Sequence, residues 1–179
     1  AEIKAMGGDA IANGGSVSDR AGAQSMVDDA MNAWGRVDVL VNNAGILRDK
    51  SFSKMTLDDF DMVVNVHLMG AAYCAHAVWP IMKAQNYGRI LMTTSPTGLY
   101  GNFGQTNYGA AKMGMIGLMN CLKIEGQKYN VFSSAVSPVA LSRMTESLMP
   151  EGIGERFLPE YVTPAVIYLA SEESQNGAI

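Results

Sequence analysis

The chain carries only two histidines and two cysteines in 179 residues. So few imidazoles and thiols argue against a His/Cys-rich zinc centre, and Cys74 and Cys121 form no C-x-x-C pair. Both cysteines fall in apolar stretches of helical pattern and are expected as buried thiols, which suits a reducing compartment. Basic residues are scarce too: 13 Lys and Arg against 17 Asp and Glu leave a net charge of −4. Nucleic-acid phosphates are met by basic patches, so no nucleic-acid partner is expected. No apolar run reaches the roughly 18 residues of a membrane span, and no membrane partner is expected. An initiator methionine and a signal peptide are missing as well. "AEIKAMGGDA" reads as a helix end and a Gly turn, and "QNGAI" stops as a strand begins. The expectation is an internal piece of a longer protein.

What is present suits one domain with a proper core, since 48% of the residues are hydrophobic. Ser18 or Asp19 can cap a helix through about Trp34, with Gly35 as its stop. "VDVLV" (37–41) is a nearly continuous apolar run, as expected for a strand buried on both faces. Thr56 opens an interrupted helical region to about Gln85, and "RILMTTS" (89–95) is a second buried strand. After the loop "GNFGQ" (101–105), a long helix is predicted from about Thr106 to Tyr129, then a third strand, "VFSSAVS" (131–137). Thr163 and Pro164 cap and start a helix through Ala170. Strands alternating with helices of these lengths predict a parallel α/β sheet with helices on both faces.

In such sheets ligands bind beyond the carboxyl ends of the strands. Polar residues gather there: "NNAG" follows 37–41, Ser95 ends 89–95, and Ser137-Pro138 ends 131–137. Downstream, "NYGAAKMGMIG" (107–117) sets Tyr108 and Lys112 one helical turn apart. A free phenol is a poor base at neutral pH, but a nearby ammonium favours the phenolate. Tyr108 is therefore expected to exchange a proton with an alcohol or ketone oxygen. Ser95 would hold that oxygen, and Asn65, before "VHLMG", would anchor a water that relays protons through Lys112. Taken singly, each of these residues has an ordinary structural reading. Four of them in the right order within one αβ layout point to a site.

"NNAG" (42–45), Asn65, Ser95 and "YGAAK" (108–112) resemble the short-chain dehydrogenase/reductases, including the 13 residues from Ser to Tyr and four from Tyr to Lys. Within that family, "NNAGILRDKSF", "GLYGNFGQTNY" and "SRMTESLMPE" are similar to the (3R)-hydroxyacyl-CoA dehydrogenase units of peroxisomal multifunctional enzyme type 2 and their bacterial relatives. The 3-oxoacyl-[acyl-carrier-protein] reductases share much of the pattern, and a non-catalytic assembly module or inactive fragment of this fold is the other alternative.

The resemblance implies a Rossmann-like, doubly wound parallel sheet, NAD or NADP as cofactor, and an acyl thioester or other ketone or alcohol as substrate. It gives Tyr108 the role of general acid/base. Lys112 would lower its pKa while bonding the nicotinamide ribose, with Ser95 and Asn65 completing the set. Asn43, Ala44 and Gly45 would pack along the adenosine ribose, Ser16 and Val17 would flank the adenine, and Pro138, Val139 and Leu141 would contact the nicotinamide. Two long helices, about 67–85 and 106–126, with small and methionine-rich faces, would pair in a homodimer or homotetramer. No metal is implied. A cytoplasmic location is expected, with the peroxisome as the alternative.

Some of the family pattern is missing. Nothing reads G-x-x-x-G-x-G between a strand and a helix, so the backbone cradle for a pyrophosphate is expected before residue 1. The charged residue that chooses NAD or NADP would lie there too. Ser16 stands where many relatives carry Asp or Asn, and Val139 replaces a glycine beside the nicotinamide.

Overall fold

Asp19, Thr56 and Ser95 each cap the start of a helix. The computed structural model describes residues 2–142, 145 and 156–179. After a short α1 (Glu2–Ala5), the Asp19 carboxylate accepts the Gly22 N–H at 3.0 Å and opens α2 (Arg20–Trp34). That bond satisfies one of the donors a helix leaves open at its N-terminus. Gly35 ends the helix with φ 71°, a left-handed geometry that glycine adopts readily.

Three strands follow: β1 (Val39–Asn42), β2 (Gly88–Thr93) and β3 (Val131–Val136). They pair in parallel in the order β1-β2-β3. The first starts two residues later than predicted because Gln85 occupies Val37: its amide bonds both the Val37 N–H (3.0 Å) and the Val37 carbonyl (2.8 Å). The tail forms no strand among the described residues, though its backbone bonds β3. Gly177 donates to the Ser133 carbonyl and Ala178 accepts from Ala135, so residues 177–178 run along β3.

Thr56 accepts the Asp59 N–H at 3.1 Å and opens α3 (Leu57–Val64), as its position suggests. The interruption expected beyond it is a single π-helical stretch, Asn65–Met69, that passes without a break into α4 (Gly70–Gln85). The whole helix, Leu57–Gln85, is 29 residues long and contains a window with a mean hydropathy of 1.2, apolar enough by length and composition to cross a membrane. Sequence reading allowed for no such segment. Its packing against the sheet explains the apolarity: Ala71, Ala75, Val78 and Met82 join Ile90, Met92, Met115, Met119 and Val131 in one buried cluster. Each Val, Ile or Met among them contributes about 1.5–3 kcal/mol by leaving water. Cys74 is buried as expected; Cys121, expected to be buried, is exposed on its helix.

Next come the short α5 (Pro96–Tyr100), which the sequence reading left within a loop, and α6 (Thr106–Gly126), which tightens into a 3₁₀ turn at Gln127–Tyr129. The last helix, α7 (Thr163–Ala170), includes Thr163 within it; Val162 precedes it and makes no side-chain cap. Side chains alternate across β2. Ile90 and Met92 meet the α4/α6 cluster, while Arg89 points the other way to the Ser171 carbonyl at the end of α7 (3.0 Å). The buried Arg89 guanidinium has no carboxylate partner among the described residues. Carbonyls of Gly88 and Asn130 and the rings of Tyr87 and Phe132 surround it.

Candidate active site

A parallel sheet delivers the carboxyl ends of all its strands to one edge. Here that edge gathers Asn43 after β1, Thr94-Ser95 after β2 and Pro138 after β3. Ser95 is extended (φ −159°, ψ 150°), as a residue before proline prefers, and its hydroxyl accepts the Thr97 N–H to start α5. The turn sets α5 against α6 so closely that a Cβ on Gly98 would lie 2.8 Å from the Lys112 Cβ. On α6, the fully buried Asn107 locks the first turn. Its amide donates to the Arg48 carbonyl (3.1 Å), and its oxygen accepts the Tyr108 N–H (2.7 Å).

Tyr108 and Ser95 share the wall of a hollow of about 220 Å³ with Leu47, Gln105 and Pro138. Burial pushes the Tyr108 phenol above its usual value, the adjacent Ser95 hydroxyl works against the rise, and the charge of Asp49 adds to it. Lys112 is 3% exposed, and its ammonium stands 5.4 Å from the centre of the Tyr108 ring. Burial lowers the Lys112 pKa to about 8. The expected lowering of the phenol is therefore reversed here: the Lys112 ammonium donates to the Thr93 carbonyl, and desolvation dominates at Tyr108. A larger hollow, about 710 Å³, opens beside Trp79, Lys83 and Tyr129, away from these groups.

Asn65 is not part of this cluster. Its side chain is exposed, in a surface hollow with Ser18, Asp58 and Asp61. Two positions on, the helix has turned, and His67 takes the inward place. It is 2% exposed, and its ring meets the Tyr108 ring edge-on at 5.1 Å. His67 Nε2 faces both the Ile46 N–H (3.1 Å) and the Ile46 carbonyl (2.9 Å), while Nδ1 is buried without a hydrogen-bond partner among the described residues. Burial, with the nearby Lys112 charge, lowers the His67 pKa to about 4, so the ring is neutral at physiological pH. The clue lay in spacing: Val63, His67, Gly70, Ala71 and Cys74 form the buried stripe of this helix, and Asn65 falls outside it.

Comparison with known proteins bears directly on this edge. The short chain dehydrogenase family matches residues 1–152. The chain belongs to that family. It is 47% identical over 178 residues to a short-chain type dehydrogenase/reductase of Mycobacterium tuberculosis, covering 99% of this chain and 62% of the relative. It is 50% identical over 180 residues to peroxisomal multifunctional enzyme type 2 of Mus musculus, covering 100% of this chain and 24% of that protein. The solved structure of full-length peroxisomal multifunctional enzyme type 2 from Drosophila melanogaster superposes with a TM-score of 0.82 at 41% identity, over 98% of this chain and 30% of that one. The chain thus spans less than two thirds of the length of these relatives.

As a short-chain dehydrogenase, the chain has the Rossmann-like α/β fold of an oxidoreductase family that binds NAD or NADP. The residues assigned to that cofactor by resemblance fall in two groups. Val17, Asn43 and Ala44 line a hollow of about 100 Å³ with Val66, Gly70 and Cys74, and Asn43 accepts from the Thr93 hydroxyl at 3.3 Å. Gly45 presses on His67 instead, and the exposed Ser16 hydroxyl bonds Ser18. Across the edge, Pro138 lines the Tyr108 hollow, Val139 is exposed, and the Leu141 N–H is taken by the Phe157 carbonyl. The segment 146–150, on which part of the acyl resemblance rests, lies outside the described residues, as do Arg143 and Met144.

Proposed function

We propose that this chain carries the reaction site of an NAD(P)-dependent oxidoreductase interconverting a secondary alcohol and a ketone, with a 3-hydroxyacyl/3-oxoacyl thioester as substrate. The observation that carries the reading is the convergence of Ser95, Tyr108 and Lys112 at one strand edge, beside an open hollow. The donor set suits a dinucleotide. Lys112 has three N–H groups and a single acceptor, Thr93, among the described residues, which leaves donors for ribose hydroxyls. Asn43, Ala44 and Val17 would flank the adenosine side, and Pro138 and Val139 the other end. When bound, the nicotinamide supplies or accepts the hydride.

The protein's own part is the proton at the substrate oxygen. A phenol raised by burial is protonated at neutral pH, which suits Tyr108 to give its proton to a carbonyl oxygen in reduction. The Ser95 hydroxyl, beside the phenol, would hold that oxygen in line. In the oxidative direction the phenol must first lose its proton, a step the Lys112 charge favours once its ammonium turns from Thr93. His67 takes the place expected of Asn65, bonding Ile46 through Nε2 and meeting the Tyr108 ring edge-on.

The thioester substrate and a peroxisomal location draw support from relatives named as peroxisomal multifunctional enzymes. Pairing of α4 and α6 across a dimer or tetramer belongs to the same reading. The test is Tyr108→Phe in the intact protein, assayed with acetoacetyl-CoA and an acyl-carrier-protein substrate against both nicotinamides. Loss of at least about a hundredfold in kcat is expected; near-normal turnover refutes the assignment.

A further inference from the structure

We propose that Gln105 is a positioning residue for the reaction, holding the Ser95 hydroxyl in place at the Tyr108 hollow by way of Thr97. The proposal rests on the alcohol–ketone reading above and adds to it the group that keeps its serine aimed.

Three hydrogen bonds make the path. Ser95 Oγ accepts the Thr97 N–H at 3.2 Å, the Thr97 hydroxyl donates to the Gln105 side-chain carbonyl at 3.0 Å, and the Gln105 amide nitrogen donates to the Asp49 carboxylate at 2.7 Å. Thr97 is thus held at both ends, by Ser95 through its backbone and by Gln105 through its side chain. Glutamine is usually exposed, yet Gln105 is 5% exposed, and it lines the hollow with Ser95, Thr97 and Tyr108.

The Gln105 amide has one workable orientation. Its carbonyl takes two donors, the Thr97 hydroxyl and the Asn102 amide, both at 3.0 Å, which fill its two acceptor sites. Turned over, it would set its oxygen against the Asp49 carboxylate. The bond to that carboxylate is charge-assisted, the stronger kind, so the loop after β1 anchors the amide from outside the hollow. A second tie between the same loops, from the Lys50 N–H to the Gly104 carbonyl at 2.9 Å, holds the anchor in register.

The consequence falls on Ser95. A hydroxyl has one proton to donate and two acceptor sites. The Thr97 N–H fills one acceptor site, which leaves the other site and the proton for the phenol and the substrate oxygen. Removing Gln105 takes away the acceptor of the Thr97 hydroxyl and loosens the turn that aims the serine. A reacting group misplaced by about an ångström can cost a hundredfold in rate, and partial loosening predicts a loss of roughly tenfold.

The experiment measures kcat and KM for acetoacetyl-CoA reduction by the intact protein, with urea midpoints in parallel. The variants are Gln105→Met, Thr97→Val and Thr97→Ser, each also combined with Ser95→Ala. Gln105→Met and Thr97→Val should each lower kcat roughly tenfold with KM nearly unchanged. Together they should lower it no further, because both cut one path. Thr97→Ser keeps the hydroxyl and should recover most of the rate that Thr97→Val loses. With Ser95→Ala already present, neither Gln105→Met nor Thr97→Val should lower kcat again. A further loss there overturns the proposal, because Gln105 then acts on folding or on the substrate directly, and so does a loss of rate that tracks the urea midpoints. Should Gln105→Met fail to fold, Thr97→Val decides alone. Full kcat in the folded variants overturns the proposal and leaves the alcohol–ketone reading standing. No turnover by the unmodified protein refutes that reading and this proposal with it.

Discussion

The His67 ring meets the Tyr108 ring at right angles, centroid to centroid 5.1 Å, and ties that contact to Ile46 through Nε2. One imidazole thus joins the loop after β1 to the helix that bears the phenol. His67→Leu keeps most of the volume and leaves the Ile46 backbone groups without their partner. Destabilisation of about 1–3 kcal/mol is expected, the usual cost of an unmet buried hydrogen bond. His67→Asn or His67→Gln should recover part of it, because either amide can meet one Ile46 group. Urea midpoints of the three variants decide this; a Leu variant as stable as the parent would show the bond to be idle.

The same residue predicts acid sensitivity. The His67 pKa is lowered from 6.5 to about 4 in the folded chain. Between those values the unfolded chain binds the extra proton and the folded chain does not, so stability falls as the pH drops through this window. The integrated loss approaches about 3 kcal/mol. His67→Gln, which cannot titrate, should lose that part of the slope. Parallel stability curves for parent and variant from pH 6.5 to pH 4 would contradict the assignment.

Gly45 is required by His67 rather than by its own backbone. It is absent from the left-handed glycines, yet a Cβ there would stand 2.3 Å from His67 Cε1. Gly45→Ala should therefore cost about 1–3 kcal/mol, as overpacking does. In the double variant Gly45→Ala/His67→Ala the clash is gone, so the combined loss should be smaller than the sum by at least 0.5 kcal/mol. A four-way thermal or urea cycle measures this coupling, and simple additivity would mean that glycine serves another need.

These relations show which parts of the site are readable from sequence. Local chemistry carried far: Asp19, Thr56 and Gly35 set helix ends through their own side chains or backbone. The approach of Ser95, Tyr108 and Lys112 was legible because the end of β2 and one turn of α6 fix their spacing. Asn65 falls outside the cluster because residue type does not say which way a helix turns a side chain. Two residues along, the side chain points to another side, and the buried stripe selects His67. The raised phenol was hidden for a different reason, since desolvation depends on everything packed around Tyr108 and not on Lys112 alone. Gln85 holding Val37 is likewise invisible locally, because the two residues are 48 positions apart.

Lys112 predicts a trend of the same sign at the alkaline end. Its pKa falls from 10.5 to about 8 on folding because burial disfavours the ammonium. Above pH 8 the folded chain has released a proton that the unfolded chain still holds, so this group adds stability as the pH rises toward 10.5. The gain approaches about 3 kcal/mol. Lys112→Met abolishes the titration, and the difference between parent and variant stability should therefore change across that window. The variant should also lose turnover by at least about a hundredfold. A constant difference from pH 8 to pH 10.5 would mean that the ammonium is not desolvated.

Asn107 tests whether the first turn of α6 sets the position of the phenol. Its side chain donates to the Arg48 carbonyl at 3.1 Å and the Asp59 carbonyl at 3.4 Å, and accepts the Tyr108 N–H at 2.7 Å, with no exposed surface. Asn107→Ala removes all three bonds inside the protein, and a loss of about 2–3 kcal/mol is expected. Asn107→Asp is the sharper change. It keeps the acceptor for Tyr108 but turns a carboxylate toward two carbonyls, so it should be the less stable variant at neutral pH. Protonation restores a donor, and its stability relative to the parent should recover as the pH falls through the carboxylate range. Should Asn107→Asp remain as stable as the parent at neutral pH, the buried amide is not what joins α6 to the loop after β1.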